Sequence, residues 1–227
     1  MEPAPSGQTP GELHELVRAL VNAARALAAA DLVSGTSGNL SARAGEVVAV
    51  TATGARLSQL EAEQVTAVDL GGRVVGGCLA PTSELALHLA IYRRYRVGAV
   101  VHAHPPVATA LSCVLDELPC IHPDMLALGG AVRVAAYQPF GSHEFARATA
   151  EALSDRHAVL MSNHGTLAIG DAPDQAVERT RLLEWAAALY WRAALIGTPR
   201  VLSGPQQQQL RETVNRMGYG RLHPLGP

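Results

Sequence analysis

The segment that most constrains this chain is Val97-Gly98-Ala99-Val100-Val101-His102-Ala103-His104-Pro105-Pro106. A short run of small and β-branched residues reads as a buried strand, and residues i and i+2 of a strand share a face. His102 and His104 therefore project together. Pro105 and Pro106 carry no backbone N–H, so the ladder stops there and the pair sits at a strand end. Two imidazoles so placed form a metal-ligand pair that lacks further ligands. Without a third, the same spacing suits one core histidine beside a solvated one equally well.

A third candidate lies downstream. His157–Met161 reads as a strand, Ser162-Asn163-His164-Gly165 as a bend in which Gly165 permits an unusual backbone angle, and Leu167–Gly170 as the return. His164 is thus expected at the end of the sheet. Three histidines at strand ends leave one coordination position open, which suits catalysis. Neutral imidazoles leave the charge of a divalent cation uncompensated, so it can polarise a carbonyl and stabilise the ene-diolate formed on loss of a neighbouring proton. Glu84 is the candidate base. It follows Pro81-Thr82-Ser83 at the start of a helix running toward Tyr95, with Thr82 or Ser83 expected as the N-cap and Glu84 in the first turn. Helix-dipole complementarity alone would also account for a carboxylate there. Glu84 can approach the histidines only if helix and strand run antiparallel.

Two turn-forming runs flank an expected strand at Glu46–Val50: Ser34-Gly35-Thr36-Ser37-Gly38-Asn39-Leu40-Ser41 before it and Thr51-Ala52-Thr53-Gly54 after it. Glycine lets a backbone approach a ligand and expose successive N–H groups, as anion-binding loops require. Either run alone is also an ordinary turn.

The rest of the chain supplies framework. Helical spacing runs from Leu13 to about Asp31, Val107 to Val114, a Ser142-capped segment to about Asp155, Asp171 to Gly197, and Gln206 to Met217. A hairpin is expected over Val65–Val75, turning at Gly71-Gly72, and a strand over Ala131–Tyr137. With 227 residues, 48% hydrophobic and 17% charged, the chain can build one substantial core. We expect one domain over residues 10–217, after a disordered lead at 1–9 and before a mobile tail at 218–227. No apolar stretch spans a bilayer and no leader pattern opens the chain, so a soluble, cytoplasmic protein is expected, with no membrane partner. A net charge of −2 without a basic run argues against nucleic acid. Cys78, Cys113 and Cys120 are odd in number and share no metal-type spacing, which makes reduced, buried thiols the default.

Gly35-Thr36-Ser37-Gly38-Asn39, Thr51-Ala52-Thr53-Gly54, Thr82-Ser83-Glu84, Val101-His102-Ala103-His104 and Asn163-His164-Gly165 occur in the order and spacing of a known family. From about Leu13 to Tyr219 the chain resembles the class II aldolase/adducin superfamily, most closely its L-fuculose-1-phosphate aldolase branch. The resemblance implies a three-layer α/β/α sandwich with a central, mainly antiparallel sheet, and a homotetramer with sites between neighbouring subunits. It implies zinc, or another divalent metal such as Mn2+ or Co2+, held by His102, His104 and His164, with Glu84 as a further ligand or as the base. The substrate phosphate would rest on Gly38, Asn39, Thr53, Gly54, Thr82 and Ser83.

The implied reaction is reversible cleavage of a ketose 1-phosphate, such as L-fuculose 1-phosphate or a 5-deoxypentulose 1-phosphate, into dihydroxyacetone phosphate and an aldehyde through a metal-stabilised enediolate. Tyr219 matches the tail tyrosine that serves the aldehyde end in such aldolases. Where the fuculose enzyme carries a second tyrosine, this chain has Pro123, and His122-Pro123-Asp124 looks instead like the superfamily's sugar-phosphate 4-epimerases, in which the aspartate is an acid/base group. Asp124 is therefore a second catalytic candidate. An epimerase, a sugar-acid phosphate decarboxylase or dehydratase, and a non-enzymatic adducin-like domain are the competing readings. The last lacks the metal ligands that this chain retains.

Overall fold

A computed structural model describes residues 10–217; the lead 1–9 and the tail 218–227, with Tyr219, lie outside the described residues. Nine strands form one sheet in the order β4-β3-β2-β1-β5-β9-β8-β7-β6. These are β1 Asn39–Ala44, β2 Val47–Thr51, β3 Val65–Asp69, β4 Val74–Gly76, β5 Ala99–Ala103, β6 Glu117–Leu118, β7 Val132–Ala135, β8 Ala158–Met161 and β9 Gly165–Gly170. Every neighbouring pair is antiparallel except β7–β8. The expected mainly antiparallel sheet is thus observed, and because it is sandwiched between helices its central strands are buried on both faces.

The alternation of strand side chains assigns the layers. Ala99, Val101 and Ala103 of β5 pack with Leu20, Ala24 and Leu27 of α1 (Pro10–Ala29) and with Ala176 and Val177 of α5 (Pro173–Ile196). Further along that face, Ala158 and Leu160 of β8 meet Ala108 and Leu111 of α3 (Pro106–Ser112) and Leu183 of α5. The opposite face carries Val100 of β5 and Val159 and Met161 of β8 against α2 (Leu85–Arg94) and α4 (His143–Ala152), through Leu89, Tyr92 and Phe145. His102 falls on this second face, opposite Asn39 of β1 in the β1–β5 register. A last helix, α6 (Gly204–Met217), has no buried residue.

Several expectations need correction. Asn39–Ser41 is the start of a strand and not part of a turn, because Asn39 and Ser41 are polar residues on a buried face and hide the alternation that marks a strand. Neither Thr82 nor Ser83 caps α2: Glu84 occupies the N-cap position, and its own N–H bonds Thr82 Oγ1 at 3.3 Å. Residue Asn163, not Gly165, takes the left-handed backbone angle in the β8–β9 turn (φ 56°). Of the thiols only Cys120 is buried; Cys78 and Cys113 are exposed.

Candidate active site

Three strand ends and one helix end meet on the α2/α4 side of the sheet. His102 closes the buried run of β5, His104 follows just past its end, and His164 occupies the turn between β8 and β9. His104 Nε2 lies 2.9 Å and His164 Nε2 3.2 Å from His102 Nε2, and one ligand atom from each ring falls within 4.8 Å of the others. Glu84 meets them from the N-cap of α2, with Oε2 3.1 Å from His102 Nε2 and Oε1 3.4 Å from His164 Nε2. The antiparallel approach that the spacing required is therefore realised.

Close packing forces this arrangement. A Cβ on Gly165 would stand 2.6 Å from His104 Cδ2 and 2.5 Å from the Ala103 carbonyl oxygen, so glycine is the residue that lets β9 pass beside the His104 ring. Gly38, at φ 81°, lets the loop before β1 fold over the His102 carbonyl, 3.0 Å from where its Cβ would be.

The donor set suits a divalent cation. His102 Nδ1 donates to the Thr166 carbonyl at 2.8 Å, so a neutral His102 ring has its lone pair on Nε2, aimed at the cluster centre. Burial, reinforced by the other two rings, pushes His104 down to about 4, which keeps that imidazole neutral and able to ligate. Buried Glu84 Oε1 has no hydrogen-bond partner among the described residues. Converging lone pairs and an unpartnered carboxylate oxygen repel one another in a buried site unless a positive charge lies among them. Burial opposes ionisation of Glu84, while the Asn39 amide and positive charge on the histidine cluster, whether a proton on His102 or His164 or a bound cation, hold the carboxyl below the usual range.

Above the histidines opens a cavity of about 410 Å³. Gly38, Asn39, Thr53, Gly54, Thr82 and Ser83 all line it, together with Glu84, His104 and His164. An isolated bridge between Ala52 and Pro81 ties two of the anion-loop candidates together, and the Thr53 and Thr82 N–H groups bond the Ala80 and Thr51 carbonyls, each at 3.0 Å. With those N–H groups taken, the hydroxyls are the donors that Thr53 and Thr82 have left to offer a ligand. Asn39 is less free than its loop suggested, since Nδ2 donates to Glu84 Oε2 at 2.8 Å.

One sequence candidate is not brought here. Asp124 sits on a 3₁₀ turn (Pro123–Leu128), its N–H on His122 Nδ1, and lines a different groove with Leu210 and Val214. Tyr219 lies outside the described residues. Two residues were missed. Phe140, 68% exposed in the turn before α4, walls the cavity with its ring centroid 6.4 Å from that of His164. His88, one helical turn beyond Glu84, is fully buried beside Asn39. Its signal was the Glu84-x3-His88-x3-Tyr92 spacing, which sets three polar-tipped residues on one helix stripe.

Comparison with known proteins bears on what such a site does. Residues 18–191 match the family described as Class II Aldolase and Adducin N-terminal domain. The chain belongs to that family. A 5-methylthioribulose-1-phosphate/5-deoxyribulose-1-phosphate aldolase of Rhodospirillum rubrum is 33% identical over 221 residues, covering 96% of this chain and 99% of the relative. A 5-deoxy-D-ribulose 1-phosphate aldolase of Bacillus thuringiensis is 34% identical over 193 residues, covering 84% and 90%. Among solved structures, an L-fuculose 1-phosphate aldolase superposes with a TM-score of 0.85 at 32% identity, covering 88% and 96%. With near-complete coverage by aldolases in both comparisons, this protein is a class II aldolase, a carbon–carbon lyase. No helix among its described residues is long and apolar enough to cross a membrane.

Proposed function

We propose that this aldolase reversibly cleaves a ketose 1-phosphate into dihydroxyacetone phosphate and an aldehyde, through an enediolate, with zinc or a similar divalent cation on His102, His104 and His164. One observation carries the reading: segments scattered along the chain bring His104, His164, one carboxylate and two hydroxyl-rich loops to a single cavity, with His102 buried against the other two histidines. A divalent cation held there supplies Lewis acidity to the carbonyl and neutralises the charge that develops when a proton leaves the adjacent carbon.

The remaining roles belong to the chain's own groups. Hydroxyls of Thr53, Thr82 and Ser83 and the glycine-bearing backbone at Gly38 and Gly54 hold the phosphate at one end of the cavity. Glu84, against the histidines, acts as general base in the enediolate-forming direction and as acid in reverse. Its buried Oε1 makes no hydrogen bond among the described residues, and so is the oxygen on which a proton can ride. The exposed ring of Phe140 gives the cavity mouth an apolar wall, which fits an aldehyde with a deoxy or methylthio end better than a polyhydroxylated one. A 5-modified pentulose 1-phosphate, the substrate class in the names of the two relatives above, is therefore the first substrate to try, ahead of L-fuculose 1-phosphate.

Among the described residues lining the cavity none is a tyrosine or an aspartate. We assign the group that protonates the aldehyde end to Tyr219 or to Asp124 of a neighbouring copy; the second assignment is the one that calls for a homotetramer with sites between subunits. The test is to incubate purified protein with dihydroxyacetone phosphate and a panel of aldehydes, with and without a chelator, and to assay the same protein on pentulose phosphates. Condensation that the chelator abolishes and added Zn2+, Mn2+ or Co2+ restores is the expected result. Turnover of a pentulose phosphate to its epimer with no condensation would replace this reading by the epimerase.

A further inference from the structure

Behind Glu84 and Asn39 a buried chain of hydrogen bonds runs on to His88, Ser41 and Tyr92, which have no part in the chemistry described so far. Glu84 Oε2 accepts from Asn39 Nδ2 at 2.8 Å, and Asn39 Oδ1 faces His88 Nε2 at 2.6 Å. His88 Nδ1 meets Ser41 Oγ at 2.6 Å, and Ser41 Oγ meets the Tyr92 hydroxyl at 2.9 Å. Each of these five residues is at least nine-tenths buried. The chain exists because two periodicities coincide. Asn39 and Ser41 share a face of β1, and Glu84, His88 and Tyr92 recur every fourth residue along one stripe of α2 and the turn before it.

The direction of every proton in this chain is fixed by valence. A carboxylate only accepts, so the Asn39 amide nitrogen must point at Glu84 and its carbonyl oxygen at His88. That oxygen also only accepts, so His88 must carry its proton on Nε2. Burial pushes His88 down to about 3, so the ring is neutral and Nδ1 is an acceptor. Ser41 then donates to Nδ1 and accepts from Tyr92. All the donors point the same way, toward Glu84 Oε2, and a chain so aligned is mutually reinforcing in a buried environment.

We propose that His88 is a positioning residue: as its Nε2–H tautomer it locks the orientation of the Asn39 amide, which pins Glu84 Oε2 and leaves Oε1 as the oxygen that carries the proton. The inference rests on the role proposed above for Glu84. Without the Nε2–H donor, the Asn39 amide is free to rotate and present its oxygen to the carboxylate, where the two acceptors repel. The catalytic oxygen then loses its fixed place while the histidine cluster and the anion loops keep theirs.

Two measurements test this. The first uses the unmodified protein with nitrogen-15 histidine and records long-range proton–nitrogen spectra, taking the His88 ring as the signal that is missing in His88→Gln. A neutral ring protonated on Nε2 is expected; a ring protonated on Nδ1 or on both nitrogens would overturn the proposal whatever the enzyme's substrate. The second follows exchange of the dihydroxyacetone phosphate carbon-bound proton with solvent in His88→Leu and His88→Gln.

His88→Leu should slow exchange roughly 10- to 100-fold, with metal content per chain unchanged and KM for dihydroxyacetone phosphate moved far less than kcat. Gln can still donate to Asn39 Oδ1, so His88→Gln should recover most of the rate. Equal rates in all three proteins would overturn the proposal, as would equal losses in both variants. If the unmodified protein shows no exchange at all, the role of Glu84 fails, and the His88 spectrum still decides the tautomer independently.

Discussion

Gly165→Ala is the sharpest test of how this site is held. The added methyl would lie 2.5 Å from the Ala103 carbonyl oxygen and 2.6 Å from His104 Cδ2. An ordinary carbon–oxygen contact begins at about 3.3 Å, so the first distance must open by roughly 0.8 Å. The carbonyl belongs to β5, which is paired to β9 at Ala103–Thr166 and also accepts from Thr166 Oγ1 at 3.2 Å. It cannot retreat without breaking the ladder, so residue 165 and the β8–β9 turn beside it are pushed away, and the His104 ring has to yield as well. Overpacking of this kind costs about 1–3 kcal/mol, which lowers the melting temperature by roughly 3–10 °C for a chain of this size. Moving one of three imidazoles by about 1 Å should cost on the order of 100-fold in turnover, with a matching fall in metal affinity measured by competition against a chelator. Native metal affinity in a folded Gly165→Ala protein would refute the assignment of His104 to the cluster.

Three other outcomes follow from the same geometry. Glu84→Gln keeps a side chain of the same size, so metal content should hold while kcat falls about 10²- to 10⁴-fold, as a paired metal analysis and steady-state assay would show. Thr53→Val removes a hydroxyl from the anion end only, and should raise KM for the phosphorylated substrate with kcat nearly intact. Glu184 of α5 accepts from the Val107 and Ala108 N–H groups at 2.9 and 2.7 Å, capping α3 from across the fold. Glu184→Ala should cost about 1 kcal/mol in denaturant unfolding and, since α3 directly follows His104, is best read beside a metal titration.

Residues with intrinsic chemistry were legible because their types are distinctive at any spacing. His102, His104, His164 and Glu84 could be named from strand ends and a helix start alone, and they do converge. What escaped reading depended on partners distant in sequence. β1 was taken for a turn because its inward Asn39 and Ser41 match a polar stripe on α2, and no local pattern announces that match. His88 was passed over because nothing local marks a helix histidine as a core residue, although its burial is complete. Gly165 was assigned a backbone role, whereas its necessity comes from a ring on a neighbouring strand. Asp124 had a motif to recommend it, but proximity within a motif says nothing about which cavity a side chain reaches.

His102 and His164 are 62 residues apart in sequence, and β9 joins the strand of the first to the turn that holds the second. On the ribosome, two imidazoles emerge well before the third, and a nascent chain ending short of that turn can offer an ion only a weak, two-armed grip. High-affinity loading is thereby deferred until synthesis has passed β9 and the sheet has closed. With the cation proposed above, metallation would serve as a checkpoint on completed folding, favouring copies whose central strands have found their register.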